Sequence, residues 1–414
     1  MNIGDLKGKG VMMAVSGGLD SCTIAHWMKE QGVEVIGYTA DLGQPDEGNI
    51  EDIRGRMLAC GAAEMILADL KDPISWAGIQ LIQAQARYEG GYWNTTGIAR
   101  HVVVAGMVPQ MKARGLGILG HGATGRGNDQ VRFQLASQML NPRLQVYAPW
   151  RDPAFLAAFG GRKEMIDYCQ RHHLPIKASH DKPYSTDANL LGLTHEAGQL
   201  EALSTPAQRV VPGMGVFPEK APDQGERFAV RFEKGMPVMI NGKKVTPLEA
   251  LQQSNAIGGR HGIGIGLHTV ENRFVGIKSR GVYEAPGMEL LGQCYEFLLQ
   301  LVLDRRARRA FTPLTSFIAE QVYQGYWFDT ATQAAWKQIE HFNQLATGTI
   351  EVALYKGNIS FGAAGEAPHA LYSEETASME AVGDFDHRDS EGFLGVLGVS
   401  ARVLNRAGQI PPQG

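Results

Sequence analysis

A glycine- and serine-rich segment near the amino terminus is the part of the sequence that most clearly indicates chemistry. It reads Ser16-Gly17-Gly18-Leu19-Asp20-Ser21 and lies between an apolar run and an amphipathic stretch. Two adjacent glycines allow a tight turn whose N–H groups point inward, and the serine hydroxyls add neutral donors. A helix that starts here adds the positive end of its dipole. The segment therefore predicts a site for the phosphates of a nucleotide.

The same segment excludes two common nucleotide sites. It contains no lysine, so it is not the phosphate loop of enzymes that transfer the terminal phosphate, and it lacks the G-x-G-x-x-G spacing of dinucleotide folds. The alternative is an ordinary turn from a strand into a helix, with Asp20 as a local cap.

A second loop combines residue types that suit an amino-acid substrate. It runs from Gly120 to Phe133 and contains Thr124, Asn128, Asp129 and Arg132. Hydroxyl, amide and carboxylate groups can hold an ammonium and a carboxylate together, and a guanidinium offers a fork for a second carboxylate. An Asx-rich turn before a helix, with Arg132 in a surface ion pair, is the alternative.

Strand-like and helix-like runs alternate through the first 150 residues. The glycine-rich loop and the Gly120–Phe133 loop connect such runs, so these elements must position both loops. Such alternation predicts a parallel sheet covered by helices, with ligands at the carboxyl ends of the strands. The predicted strands are Val11–Val15, Val33–Thr39, Met65–Ala68 and Gly117–Gly120, and the predicted helices are Ser21–Gln31, Glu51–Cys60, Ile74–Tyr88 and Val102–Arg114.

The second half of the chain reads as α+β. Hairpin turns are predicted at Asn241-Gly242 and at Lys356-Gly357-Asn358. One long helix is predicted over Glu289–Arg309, so that the arginines at 305–309 complement its carboxyl end. We expect an α/β protein with a Rossmann-like nucleotide-binding domain at 1–174, an α+β synthetase domain at 175–400 and a loose polar tail at 401–414.

Composition narrows the classes of partner. The 414 residues carry a formal net charge of −4, which disfavours nucleic acid as a ligand. The apolar runs are too short for a membrane span, and four scattered cysteines give no disulfide framework, so a cytoplasmic location is expected. His172-His173 has no metal-ligand spacing and is expected at the surface, and no metal ligand of the protein is predicted.

Further segments occur in an order that resembles one enzyme family. They are Thr39–Gln44, Gly120–Phe133, Pro183–Leu190, Thr194–Glu196, Ile257–Gly262, Val270–Arg273 and Lys278–Gly287. The glycine loop is similar to that of the N-type ATP pyrophosphatases, whose domain is adenine nucleotide alpha hydrolase-like. From about Val11 to Leu397 the whole set resembles the argininosuccinate synthase family.

This resemblance implies an activity and its partners. ATP, accompanied by Mg²⁺, would activate citrulline as an adenylate, and aspartate would then displace AMP, giving argininosuccinate for arginine biosynthesis. The family is commonly a homotetramer whose carboxyl-terminal segments reach across subunits.

The resemblance also implies which residues touch each substrate. ATP would contact Ala14, Ser16, Gly17, Gly18, Leu19, Asp20, Ser21, Cys22, Ala40, Gly122, Asp129 and Asp187. Citrulline would contact Tyr92, Thr96, Asn128, Arg132, Ser185, Thr194, Glu196, Glu271 and Tyr283. Aspartate would contact Thr124, Asn128 and Asp129. From the residues themselves we predict two catalytic groups: Asp20, in the phosphate loop, and Asp129, as the candidate acceptor of the amine proton. Glu271 has an alternative role in a salt bridge with Arg273 or Arg280.

One departure from the family pattern leaves other functions open. The loop continues with Ser21-Cys22 where the family usually has threonine and serine, so a thiol replaces a hydroxyl. A related ligase that uses another ureido or amide substrate or another amine fits this difference, and so does a nucleotide-binding protein with weak or no catalysis.

Overall fold

The computed structural model describes residues 1–46, 48–89, 91–176, 184–378, 380 and 386–411. Pro183, the first residue of one motif above, and the last part of the predicted tail, 412–414, lie outside the described residues. The chain divides into a large unit, Met1–Pro368, and a small unit, His369–Gly414.

The first part of the large unit is built on a parallel sheet. Its strands are β1 (Gly10–Ala14), β2 (Glu34–Asp41), β3 (Glu64–Asp69), β4 (Ile118–His121) and β5 (Gln145–Tyr147). Its helices are α1 (Leu19–Glu30), α2 (Glu51–Ala59), α3 (Lys71–Gln83), α4 (Thr95–Ala113), α5 (Asp129–Leu140), α6 (Pro153–Ala158) and α7 (Arg162–Arg171). The strand order is β3-β2-β1-β4-β5, and every pair is parallel. The predicted α/β class with a parallel sheet is confirmed.

The rest of the large unit is mixed, and its strands pair antiparallel. They are β6 (Ser185–Asn189), β7 (Gly192–Glu196), β8 (Glu226–Glu233), β9 (Met236–Ile240), β10 (Lys243–Lys244), β11 (Ile265–Asn272), β12 (Lys278–Glu284), β13 (Gly348–Tyr355) and β14 (Asn358–Gly365). Its helices are α8 (Pro247–Arg260), α9 (Pro286–Val302), α10 (Arg305–Gln324) and α11 (Thr330–Asn343). One sheet has the order β10-β9-β8-β13-β14 and the other β11-β12-β7-β6.

Both predicted hairpin turns are present. Asn241 and Gly242 have φ of +48° and +80°, and Lys356 and Gly357 have φ of +43° and +82°. Two consecutive left-handed residues match the twist of the flanking strands, which is why Asn-Gly and Lys-Gly stand here.

The prediction of one helix over Glu289–Arg309 is wrong. Helix α9 ends at Val302, and α10 begins at Arg305 after Asp304, whose Oδ1 accepts a hydrogen bond of 2.7 Å from the Ala307 N–H. The arginine run therefore opens a helix, at the end where cations are disfavoured. An ion pair from Arg308 to Glu296 offsets part of that cost.

Two other helices differ from their predicted bounds. Helix α4 begins at Thr95, well before the predicted start at Val102, because the chain turns at Asn94, which has a φ of +55°. The small unit contains α12 (Glu374–Ala377) and α13 (His387–Arg406), so the first part of the predicted loose tail is helical. No helix in the described ranges is long and apolar enough to span a bilayer.

Candidate active site

The glycine loop joins β1 to α1 and has the backbone form expected of an anion site. Gly17 has a φ of +69°, and a Cβ there would lie 3.0 Å from Ile53 Cγ2. Its carbonyl accepts a 2.7 Å hydrogen bond from Arg56 Nη1. The Ser16 N–H donates to Ser21 Oγ at 3.0 Å, and the two hydroxyl oxygens are 3.4 Å apart. The serine hydroxyls are thus gathered at the amino end of α1.

The thiol of Cys22 is buried beneath this loop and does not line the cavity. Cys22 and Cys60 are both fully buried, and contact with Cys60 together with burial raises the pKa of the Cys22 thiol. A protonated, inaccessible thiol is a weak donor and a poor nucleophile. The thiol donates a hydrogen bond of 3.7 Å to the Gly17 carbonyl. The replacement of a hydroxyl here therefore changes core packing more than it changes the lining of the loop.

The topology places several predicted nucleotide contacts at one edge of the sheet. Ala14 of β1 is paired with Tyr38 of β2 on one side and with His121 of β4 on the other. Ala40 and Gly122 therefore lie beside the end of β1. The chain order reverses between β1 and β4, and ligands bind outside the carboxyl ends of strands at such a point.

A cavity of about 820 Å³ adjoins this edge, and its walls come from both parts of the large unit. Many predicted site residues line it, namely Asp20, Tyr92, Thr96, Gly122, Thr124, Asn128, Asp129, Arg132, Ser185, Asp187, Thr194, Glu196 and Tyr283. The other predicted residues lie outside its lining, namely Ala14, Ser16, Gly17, Gly18, Leu19, Ser21, Cys22, Ala40 and Glu271. Except for Ala40 and Glu271, these residues belong to the end of β1, the glycine loop and the first turn of α1.

Two arginines and two carboxylates form a charged cluster at the cavity wall. Arg132, Asp129 and Asp187 line the cavity, and Arg100 lies behind the two carboxylates. Arg100 Nε is 2.9 Å from Asp129 Oδ2, and its Nη2 pairs with Asp187. Arg132 Nη1 is 2.8 Å from the other oxygen of Asp129. Burial acts to raise the pKa of Asp129, but the two guanidinium groups outweigh it and hold the pKa at about 2. Asp129 is therefore an ionised anchor for a cation and a weak base.

Two other carboxyl groups on the cavity wall, those of Asp187 and Glu196, are more basic than that of Asp129. Burial raises the pKa of Asp187 despite its ion pair with Arg100, and the nearby charge of Asp129 adds to the effect. Burial likewise raises the pKa of Glu196, whose Oε2 is 3.3 Å from Arg273 Nη2. Asp187 and Glu196 are thus better suited than Asp129 to accept a proton.

The spacing of the site residues in the second part follows from strand geometry. In β6, Ser185 and Asp187 are two residues apart and share one face, as predicted for an extended segment. They lie opposite Glu196 and Thr194 of β7, and Thr194 is in turn paired with Tyr283 of β12. One face of this sheet therefore forms a wall of the cavity.

Hydroxyl groups and aromatic rings form a neutral part of that wall. The Tyr92 and Tyr283 rings are stacked with centroids 4.4 Å apart. The Thr96 N–H donates to Tyr92 Oη at 3.0 Å, and Thr96 Oγ1 is 3.1 Å from Thr194 Oγ1. These groups can hydrogen-bond a neutral polar ligand without desolvating a charge.

Glu271 lies behind the cavity wall. It is 5% exposed and accepts a 2.6 Å hydrogen bond from Tyr323 Oη. The sequence had offered a salt bridge from Glu271 to Arg273 or Arg280 as an alternative. Instead, Arg273 pairs with Glu196, and Arg280 donates to the carbonyls of a neighbouring turn. Burial raises the pKa of Glu271 to about 7.

We expect the Glu271→Gln variant to gain stability over the wild type as the pH rises from 5 to 8. The carboxyl ionises near its ordinary pKa of 4.5 in the unfolded chain and near 7 in the folded protein. Between these values the folded state alone retains the proton, so the wild type loses up to about 3 kcal/mol that the amide does not lose. Thermal melting at both pH values measures this difference. Glu351→Gln, at an exposed position, is the control; an equal melting difference at both pH values contradicts the prediction.

Sequence reasoning missed Arg100, which lies between two predicted site residues. The signal was its position four residues after Thr96, which puts both on one face of a helix. That signal was hidden because the helix was expected to begin only at Val102. Arg273 and Tyr323 were also missed as site residues, because they are brought close by the β11–β12 hairpin and by α10, far along the chain.

The fold and the site together define a class of protein. A parallel sheet with a lysine-free glycine–serine loop at its switch point is a nucleotide-binding α/β domain, and here it shares a polar cavity with a second, α+β part. Residues 10–175 match the family model described as "Arginosuccinate synthase N-terminal HUP domain", and residues 184–404 match "Arginosuccinate synthase C-terminal domain". The chain belongs to the argininosuccinate synthase family.

Similar proteins come from distant organisms. The argininosuccinate synthase of Rhodopirellula baltica is 41% identical over 400 residues, which cover 96% of this chain and 98% of the relative. One from Desulfitobacterium hafniense is 39% identical, with 95% and 97% covered. One from Danio rerio is 37% identical, with 96% of each chain covered.

Proposed function

We propose that this chain joins citrulline to aspartate at the expense of ATP, giving argininosuccinate, AMP and pyrophosphate. The observation that carries the proposal is the cavity, which adjoins the glycine loop and gathers the predicted citrulline and aspartate residues apart from Glu271. The names of the similar proteins support it. The departure at Cys22 had left open a nucleotide-binding protein with weak or no catalysis. Because the Cys22 side chain is fully buried, this departure is no argument against phosphate binding by the loop.

In the first half-reaction, the ureido oxygen of citrulline attacks the α-phosphorus of ATP. A P–O bond forms to citrulline, and the bond to the β-phosphate oxygen breaks, releasing pyrophosphate. The loop N–H groups and the hydroxyls of Ser16 and Ser21 hold the two outer phosphates, so their charge is stabilised as it leaves. Without a lysine to bridge the outer phosphates, the innermost one is left as the electrophile.

The donors beside the loop fit the Mg²⁺ that would accompany ATP. The Asp20 side chain lines the cavity in the first turn of α1, close in sequence to the two serine hydroxyls, and oxygen atoms are the ligands that Mg²⁺ prefers. Burial raises the pKa of Asp20, and a neighbouring cation would keep it ionised. The ion would neutralise charge on the phosphates; Asp20 would orient it.

In the second half-reaction, the amine of aspartate attacks the activated carbon and AMP leaves with the ureido oxygen. The ionised Asp129 would orient the aspartate ammonium. Asn128 lines the cavity, and its Oδ1 accepts a 2.9 Å hydrogen bond from the Phe274 N–H. The Asn128 amide N–H₂ group would then donate to the carboxylate of the substrate. The amine must lose a proton before it attacks, and Asp187 or Glu196 would accept it.

A pyrophosphate-release assay tests the proposed substrates. We expect release from ATP that depends on citrulline, and argininosuccinate only when aspartate is also present. A panel of other ureido and amide compounds, each paired with several amines, separates this reaction from that of a related ligase. Release with another pair but not with citrulline and aspartate would overturn the proposal.

We further propose that the chain assembles as a homotetramer through its small unit. Helix α13 carries several apolar side chains that are more than half exposed in the single chain, namely Phe393, Leu394, Val396, Leu397, Val399 and Val403. So many exposed apolar side chains on one helix point to a partner. Light scattering on the purified protein measures the assembly; the double variant Phe393→Asp, Leu397→Asp should lower the mass, and an unchanged mass would contradict this use of α13.

A cytoplasmic location is also part of the proposal. All four cysteines, Cys22, Cys60, Cys169 and Cys294, are free and buried, as suits a reducing compartment.

A further inference from the structure

Three potential metal ligands meet on the nucleotide-binding domain, apart from the cavity. They are His26 and Glu30 on α1 and His172, the residue that follows α7. One ligand atom from each lies within 4.8 Å of the others. Glu30 Oε2 is 3.9 Å from His26 Nδ1, and Glu30 Oε1 is 3.8 Å from His172 Nδ1. The carboxylate therefore stands between the two imidazoles.

The fold rather than the sequence spacing creates this cluster. His26 and Glu30 are one helical turn apart, so they project from the same face of α1. The packing of α7 against α1 brings the third residue to them, and the two imidazole centroids are 4.6 Å apart. Because 146 positions separate His26 from His172, no local motif reveals the site, and the sequence had indicated only a surface histidine.

Tyr168 on α7 makes hydrogen bonds with two members of the cluster, Glu30 and His26. Its hydroxyl donates to Glu30 Oε2 at 2.5 Å and lies 2.8 Å from His26 Nδ1. Since the tyrosine proton is used on the carboxylate, His26 Nδ1–H must donate to the tyrosine oxygen, and this tautomer leaves Nε2 with a free lone pair. Ligands of a metal commonly have such hydrogen-bonded partners, which fix their orientation.

We propose that His26, Glu30 and His172 form a binding site for a divalent transition metal ion, with Zn²⁺ as the best match. Two imidazoles and one carboxylate are a common set for zinc, and water supplies the fourth ligand. Tetrahedral zinc places its ligand atoms about 3.3 Å apart, and one ligand atom of each side chain already lies within 4.8 Å of the others. Because His26 Nδ1 is engaged with Tyr168, the His26 ring would turn to present Nε2 to the ion. The side chains are 17%, 42% and 32% exposed, in chain order, so the ion can enter from solvent.

The site would tie the end of α1 to the end of α7. Helix α1 begins at the glycine loop, so a metal at its far end would restrain the helix that presents the loop. This role does not depend on the proposed reaction, because the ligands lie outside the cavity.

Calorimetric titration of Zn²⁺ into the full chain tests the site, with nucleotide absent and any affinity tag removed. We expect binding of one ion and at least a tenfold loss of affinity in His172→Ala and in Glu30→Gln. His173→Asn is the matched control: His173 is adjacent, has a φ of +54° that asparagine tolerates, and is not in the cluster. It should bind zinc within threefold of the wild type.

Two further measurements test whether zinc binds at this cluster: melting curves and substitution by Co²⁺. Melting curves with and without zinc should show a zinc-dependent rise in Tm for the wild type and the control, and none for His172→Ala. Co²⁺ in place of zinc should give the visible absorption of a four-coordinate site. Equal zinc affinity in all variants, or no binding by the wild type below about 0.1 mM, would overturn the proposal and leave the cluster as a surface hydrogen-bond network.

Discussion

Replacement of Arg100 by lysine is expected to lower kcat/KM by about a thousandfold. The guanidinium of Arg100 reaches Asp129 and Asp187 at once, and an ammonium on a flexible stem cannot hold both carboxylates in that geometry. The variant keeps the positive charge, so the protein should still fold. Steady-state kinetics beside a melting curve separates loss of turnover from loss of structure.

The acid limb of the pH profile provides a readout for a second variant at this position, Arg100→Gln, which removes the positive charge. In Arg100→Gln the pKa of Asp129 should rise, because one of the guanidinium groups that hold it at about 2 is gone. The fall of kcat/KM on the acid side should therefore begin at a higher pH than in the wild type. Arg114→Gln is the control, since Arg114 forms a comparable pair with Glu64 at the surface. If an Arg100 variant had the same kcat/KM and pH profile as this control, Arg100 would have no role in positioning Asp129 and Asp187 for the reaction.

Replacement of Asp20 by asparagine is expected to lower kcat at least a hundredfold. Asparagine has the same shape, so the loop and the start of α1 should be retained. The variant lacks the carboxylate that would orient the cation on the outer phosphates. The negative charge that develops on the departing pyrophosphate would then be less well neutralised. We expect the KM for ATP to rise while the affinity for citrulline, measured without nucleotide, stays the same.

A matched control exists on the next helix. Asp52 occupies the second position of α2, as Asp20 does in α1, but it is exposed and does not line the cavity. Asp52→Asn should therefore retain wild-type kinetics. Equal activity of the two variants would show that Asp20 acts only as a helix-start residue.

The nucleotide-binding half could be predicted from the sequence because its signals are local. Gly17 and Gly18 stand where the chain must turn tightly between β1 and α1, and the turn, the hydroxyls and the helix start fall within a few residues. The parallel sheet follows from the alternation of buried strands and helices. The hairpins at Asn241 and Lys356 are equally local, since two left-handed residues fix the turn.

What could not be predicted depends on contacts between distant residues. The break between α9 and α10 is set by the cap of Asp304, whereas the apolar periodicity on both sides suggested one continuous helix. Glu271 of β11 lies behind the cavity wall, where it accepts a hydrogen bond from Tyr323 of α10, far along the chain. Arg100 and His172 are unremarkable in sequence, and packing alone gives them charged or metal-binding neighbours.

Transfer of isotope from citrulline to AMP is the most direct test of the central claim. Citrulline labelled with ¹⁸O on its ureido oxygen is incubated with ATP, aspartate and the enzyme, and the nucleotide product is analysed by mass spectrometry. If the glycine loop holds the two outer phosphates, the ureido oxygen attacks the innermost phosphorus, and the label must appear in AMP. Unlabelled AMP, or formation of ADP and orthophosphate instead, would contradict the account.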